Sequence, residues 1–431
     1  MRYPTQPLPS PRRAAAGSGH RAARALRMAG VWLVGTSCAV AAFRSDRAAP
    51  IDVGRTAAPS TGRVLLPAGP ILGRGPTSSD ACGLCHKDIY RTWRGSAHAR
   101  ALEDPIFLDA FRVTEERDGT AVSRACLRCH APLAEVAGDP DLRQRITWEG
   151  VSCDVCHSLV RVDLAGGAPR LELDVGPVKR GPIRDAASGA HEVAFSELHT
   201  TSLGCAGCHE WVSAEGVPIM STYSEWRASS ASRAGIECQA CHMARTRAHV
   251  VDPRVQRTPH AEVNLHDVPG GHSLDQLHKA LAVTLHPSRQ GDELRLDVRI
   301  ANKGAGHAVP TGMPGRRVIL DLQVRTSQGV DERRTTVYGR TYLDAAGQPI
   351  TRDSGHFAKG VRLVEDTRLM PDERREERFR FPVPAAAIVF VTVKLHYEHS
   401  PMGGEENRTF LTFLSEERLL GPAEAAGGSE P

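Results

Sequence analysis

Cys82-Gly-Leu-Cys85-His86 is the first of five stretches of one form. The others are Cys126-Leu-Arg-Cys129-His130, Cys153-Asp-Val-Cys156-His157, Cys205-Ala-Gly-Cys208-His209 and Cys238-Gln-Ala-Cys241-His242. They use ten of the eleven cysteines, and a histidine follows each second cysteine. Histidine is 19 of 431 residues, so five such coincidences arise by chance on the order of 10⁻⁷. The spacing has a mechanical meaning. Positions i, i+3 and i+4 share one face of a helical turn. Two thiols on that face can add to two vinyl groups on one edge of a haem, which leaves the histidine under the iron. This is the c-type haem attachment signature.

Rival readings of the cysteines fit less well. Zinc ribbons close a site with four ligands, and five pairs leave one over. An exported chain could close five disulfides, but neither alternative needs a histidine at each fifth position. A thioredoxin-like pair would need a βαβ setting. Five covalently bound haems also suit the composition. Aromatic residues are only 5% of the chain, and the cysteine-bearing stretch is too short to wrap each haem in its own protein core. The macrocycles are expected to supply much of the apolar interior. Trp93, Trp148, Trp211 and Trp226 lie in this stretch and read as packing residues.

The length allows two or three domains. Basic residues are nearly all arginine, with six lysines. Residues 1–41 hold six Arg and no acid, so the formal +4 leaves 4 − 6 = −2 for the rest. Net charge therefore lends no support to a nucleic-acid partner. The basic lead runs into an uncharged segment from Met28 to Phe43, with a small-x-small site at Ala39-Val40-Ala41. Residues 1–43 read as a secretory signal peptide or an uncleaved N-terminal anchor. That places the protein in the periplasm or outside the cell, with membrane association through the anchor as the second form. Residues 44–75 read as a flexible linker.

Each iron has a second axial position, which decides whether a haem carries electrons or binds substrate. Met is scarce, at seven residues, which favours His–His ligation. His98 follows the first haem helix, and His199 precedes Cys205 closely. His266 and His272 flank Asp-Val-Pro-Gly-Gly. His307 lies in the stiff loop Gly304-Ala-Gly-His-Ala-Val-Pro-Thr-Gly-Met-Pro314. These five are the distal candidates, with His260 and His278 in reserve. A weak repeat is visible: Tyr90-x-x-Trp93-Arg94-x-Ser96 recurs as Tyr223-x-x-Trp226-Arg227-x-Ser229, with Ala231 where the first copy has His98.

From about residue 284 the period changes to two. Leu294, Leu296, Val298 and Ile300 alternate with polar residues, as do Val318 to Val324 and Val389 to Leu395. The predicted fold class is α+β: a mainly helical, loop-rich pentahaem cytochrome c domain over 76–283, then an antiparallel β-sandwich over 284–417. The loop around 304–314 is expected to contact a haem. Residues 418–431 read as a disordered tail. His356, His396 and His399 are assigned to the β region and not to ligation.

At these motifs the sequence resembles the exported multihaem c-type cytochromes related to the tetrahaem electron acceptor of hydroxylamine oxidoreductase. The resemblance covers about residues 78–381. It rests on Cys82-x-x-Cys85-His86-x-x-x-Tyr90-x-x-Trp93-x-x-Ser96-x-His98 and on Cys126-x-x-Cys129-His130-Ala-Pro132. It also rests on Glu149-Gly-Val-Ser-Cys153-Asp-Val-Cys156-His157, Gly235-Ile-Glu-Cys238-Gln-Ala-Cys241-His242-Met243 and Gly306-His307-x-x-Pro310-Thr311-Gly312. The resemblance implies mainly bis-His haems and electron transfer, with His98 and His307 as distal ligands. The chain departs from it in having five attachment sites rather than four, and an attached β region. The physiological partner is therefore not implied.

Electron transfer between redox protein partners is the leading functional reading. The second is an oxidoreductase acting on a small nitrogen or sulfur species at a haem with an open distal side. The edge strands of the β region offer a surface for a membrane partner or another copy of the chain. No catalytic residue is singled out.

Overall fold

The computed structural model describes residues 72–256, 260–399 and 410–423. The leader, the linker up to residue 71 and the end of the tail lie outside the described residues. The described residues fall within one compact unit. No helix among them is long and apolar enough to cross a membrane.

The fold mixes short helices with antiparallel sheets, in keeping with an α+β class. Alternating apolar positions produce two sheets in the C-terminal region. One is three-stranded, in the order Arg374–Pro382, Glu293–Asn302, Leu281–Gln290. The other is four-stranded, in the order Asp331–Tyr338, Arg317–Thr326, Val389–Glu398, Phe410–Leu420. Period two puts Leu294, Leu296, Val298 and Ile300 on one face, all fully buried. Val318, Leu320, Leu322 and Val324 of the other sheet are equally buried, and both sets belong to one hydrophobic cluster. The first strand begins at Leu281 rather than near 284, because Leu281 and Val283 already face that cluster. The last runs to Leu420, past residue 417, because it pairs along the whole of Val389–Glu398.

The cysteine-bearing stretch is built differently. Its helices are short, and its apolar cluster holds only Leu102, Leu127, Ala131 and Ala134 as buried members. It also contains small two-stranded sheets that were not expected there, such as Leu159–Asp163 with Arg170–Leu173 and Arg245–Ala248 with Ala261–Asn264. These segments are too short to show a reliable period of two, so pattern reading passes over them. Inside this stretch small hydroxyl residues such as Ser79, Ser123, Ser158 and Ser202 are fully buried. A protein interior of this kind is thin in apolar side chains.

Candidate haem-binding site

The attachment motifs take the local geometry that their spacing demands. The helices Thr120–His130, Cys153–His157, Leu203–His209 and Cys238–His242 each end on the motif histidine. At the first motif the helix Ser79–Gly83 breaks and Lys87–Arg94 begins after His86. The turn survives there through Cys85 N–H and His86 N–H, which donate to the Cys82 carbonyl at 3.1 and 2.9 Å. No described pair of the ten motif cysteines is closed as a disulfide.

The histidines show which of their atoms are available. His86 Nδ1 bonds the Val250 carbonyl at 2.6 Å, His130 that of Ala101 at 2.7 Å, His157 that of Arg180 at 2.5 Å and His242 that of Pro269 at 2.7 Å. A carbonyl only accepts, so Nδ1 carries the proton and the Nε2 lone pair is left free. That second-sphere bond fixes tautomer and ring orientation for a metal ligand. Burial lowers the pKa of His86 and His130 and pushes His157 down to about 4 and His209 to about 3, which keeps these four imidazoles neutral.

Four of the five motif histidines face a second imidazole at nearly one spacing. Ring centroids lie 6.2 Å apart for His86 and His191, 6.3 Å for His209 and His98, 6.4 Å for His157 and His266, and 6.2 Å for His242 and His307. Two imidazoles bound through nitrogen at about 2.0 Å on opposite sides of one metal would place their centroids roughly 6 Å apart. The donor set thus fits a six-coordinate haem at four of the attachment motifs. The thin apolar core of the stretch fits flat apolar groups filling the interior.

The remaining candidates lie elsewhere. His199 stacks on His157 at 5.2 Å, closer than the common spacing, and its buried Nδ1 has no hydrogen-bond partner. His272 is exposed, with its pKa lowered by partial desolvation and by the charges of Arg316 and Arg100. His278 uses Nε2 on the Phe413 carbonyl, and His260 packs on His249 with ring centroids at 4.0 Å. His399 lies against Tyr397 just after the strand Val389–Glu398. Against His130 the structure places Phe107, stacked at 3.8 Å and 13°. His191 was outside the set read from sequence. It sits in an irregular Ser188-Gly-Ala-His191 segment with no motif around it.

The motifs also sit near one another. The side chain of Cys82 lies beside that of Cys153, Cys205 beside Cys238, and Cys129 beside Cys208. Backbone contacts repeat the first two pairings. Cys153 N–H donates to Ser79 Oγ at 3.2 Å, and Cys238 N–H donates to Ser202 Oγ at 2.9 Å. Each serine stands three residues before the first cysteine of the partner motif. Glu149 accepts from Ser79 N–H, and Glu237 accepts from Ser202 N–H, both at 2.7 Å.

The sequence repeat takes its meaning from this symmetry. Trp93 Nε1 donates to the Val151 carbonyl at 2.9 Å, and Trp226 Nε1 to the Ile236 carbonyl at 2.8 Å. Each acceptor lies two residues before a motif cysteine, after a glycine at positive φ, Gly150 and Gly235. A Cβ on Gly150 would meet the His98 carbonyl oxygen at 2.5 Å, so that approach requires glycine. Ala231, the counterpart of His98, lies against Gly306, where an added Cβ would sit 2.9 Å from the alanine methyl. The small side chain leaves room for the loop that brings His307 to His242.

With this geometry established, the comparisons with known proteins can be placed. The family model described as "Cytochrome c554 and c-prime" matches residues 81–158. The penta-heme cytochrome c552 of Thermochromatium tepidum has the same fold, at TM-score 0.64 and 23% identity over 81% of this chain and 100% of that chain. The putative ApaA protein from Bordetella pertussis superposes at TM-score 0.18 with 17% identity, covering 34% of this chain and 94% of that chain, a likeness too slight to bear on the fold. No curated protein matches the sequence. The family match and the shared fold support a multihaem c-type cytochrome.

Proposed function

We propose that this chain is an exported, periplasmic pentahaem c-type cytochrome that passes electrons between redox protein partners. Five thioether-linked haems would be held by Cys82/Cys85, Cys126/Cys129, Cys153/Cys156, Cys205/Cys208 and Cys238/Cys241. His86, His130, His157, His209 and His242 are the proximal ligands in this reading. The observation that carries it is the common 6.2–6.4 Å spacing of four imidazole pairs, each holding one motif histidine. The distal partners are then His191, His98, His266 and His307. Haem supplies reversible one-electron chemistry when bound. The chain's own residues set ligand choice, spacing and dielectric. The serine and tryptophan contacts draw the motifs together in pairs, which suits transfer from one centre to the next. A relation to the tetrahaem electron acceptor of hydroxylamine oxidoreductase belongs to the same reading. So does a β-sandwich over the C-terminal strands, supported by the single hydrophobic cluster that both sheets share.

A second reading is favoured by one observation. Among the described residues no second imidazole stands at the common spacing from His130, whose ring face is stacked on Phe107, so the haem of Cys126 and Cys129 would be the centre where a small nitrogen or sulfur species binds. Intact mass of the mature protein, with low-temperature EPR, tests both readings. Five haem adducts and low-spin signals alone support the carrier. A high-spin signal that responds to nitrite, hydroxylamine or nitric oxide supports the enzyme. Absence of covalent haem refutes both.

A further inference from the structure

Glu225 lies in the helix Thr222–Ala228, immediately after the second tryptophan-bearing repeat begins, and its side chain is 9% exposed. A carboxylate so placed needs partners, and it gathers an unusual set. Oε1 accepts from Ser221 Oγ at 2.7 Å, Arg340 Nη2 at 2.7 Å and Arg368 Nη1 at 2.6 Å. Oε2 accepts from Ala308 N–H at 3.1 Å and Thr311 Oγ1 at 2.7 Å. Arg340 and Arg368 are themselves buried, at 2% and 6% side-chain exposure, and both also face Asp366. Two guanidinium groups and two carboxylates thus balance in charge. Burial pushes the Glu225 carboxyl up, but Arg368 and Arg340 outweigh it and hold the group below its ordinary range.

One oxygen is committed to the arginines and the other to the loop that follows His307. Ala308 is the next residue after His307, and its carbonyl takes the His307 Nδ1–H at 2.9 Å. The loop is gripped from its other side by Asn302 Nδ2, which donates to the His307 carbonyl at 2.9 Å, and by Arg368 Nη1 on the Pro310 carbonyl at 3.3 Å. Thr311 is further tied to Thr222 by a hydroxyl pair at 2.9 Å. Glu225, seconded by Thr222, therefore links the helix of the haem stretch to the loop of the β region.

We propose that Glu225 is a positioning residue, holding the His307–Thr311 loop so that the His307 imidazole stays at its spacing from His242, where the two would serve as ligands of the haem of Cys238 and Cys241. The proposal rests on the axial reading of His307 given above. It also assigns the attached β region a task, which is to deliver one distal ligand that the second repeat lacks at Ala231.

The test compares E225A, E225D, T311V and H307A in the purified holoprotein, by low-temperature EPR and by reductive titration followed at the Soret band. H307A should abolish one low-spin bis-His signal. E225A should abolish or shift the same signal and move the midpoint potential of that centre alone, while E225D restores it in part. T311V removes the hydroxyl's two contacts, to Glu225 and to Thr222, without touching the arginines, and should displace the same signal by less. An E225A protein that folds, loses stability and keeps the signal lost in H307A overturns the proposal. If E225A yields no folded holoprotein, T311V decides, and an unaltered signal there overturns it. If H307A changes no haem signal, the ligation reading falls and the proposal with it, an outcome distinct from failure of the positioning role alone.

Discussion

Replacing His191 by alanine tests the axial geometry most sharply, because His199 offers a matched control. Both histidines lie in the segment between the third and fourth attachment motifs, and only His199 was selected from sequence. The structure sets His191 6.2 Å from His86, within the range shared by the other pairs, whereas His199 stands 5.2 Å from His157 and His266 stands 6.4 Å from it. His191 Nδ1 bonds the Glu192 carbonyl at 2.9 Å, so its Nε2 is free. In the proposed reading the four pairs are four bis-His centres, so H191A should remove about one quarter of the integrated bis-His low-spin intensity. H199A should remove none. The assay is spin-quantified EPR on both holoproteins, normalised to haem content by pyridine haemochrome. The reasoning is refuted if H191A keeps the full intensity, or if H199A produces the loss.

Asp154 and Lys179 form a buried pair, 0% and 10% exposed, and Asp154 also accepts from Thr77 N–H and Ser158 Oγ at 2.7 and 2.8 Å. D154A should cost roughly 3–5 kcal/mol, because it leaves a buried ammonium without its partner; denaturant unfolding of the holoprotein measures this, and a loss under about 1 kcal/mol contradicts it. W226F removes the bond to the Ile236 carbonyl and should cost about 1 kcal/mol, read as a shift in the unfolding midpoint. Asp252 is held below the ordinary carboxylate range by hydrogen bonds from Arg254 and Lys87. Its contribution is then fully present above a pH of about 4 and is lost as pH falls through the lower folded value. Thermal melts from pH 6 downward should show a fall that D252N lacks; identical curves would exclude Asp252 as its source.

The local geometry of the attachment motifs was legible in the linear chain. A cysteine, a second cysteine three residues on and the following histidine need only one turn of backbone to share a face, and four of the motif histidines end helices of that kind. The alternation in Leu294 to Ile300 and Val318 to Val324 announced the two sheets for the same reason, since period two is a property of the strand itself. His98 and His307 sit in segments distinctive enough to single out, and both stand at the common imidazole spacing.

What the linear chain could not decide is which imidazoles meet. His191 reaches His86 from a segment with no motif, and His266 rather than His199 stands at the common distance from His157. The same holds for Glu225, whose burial depends on Arg340 and Arg368 arriving from the far part of the chain. The motif turn is a short-range matter of backbone bonds along one turn, and the sequence alone determines it. Axial pairing and the buried charges behind His307 depend on segments remote in sequence meeting in space, and only packing in three dimensions brings them together.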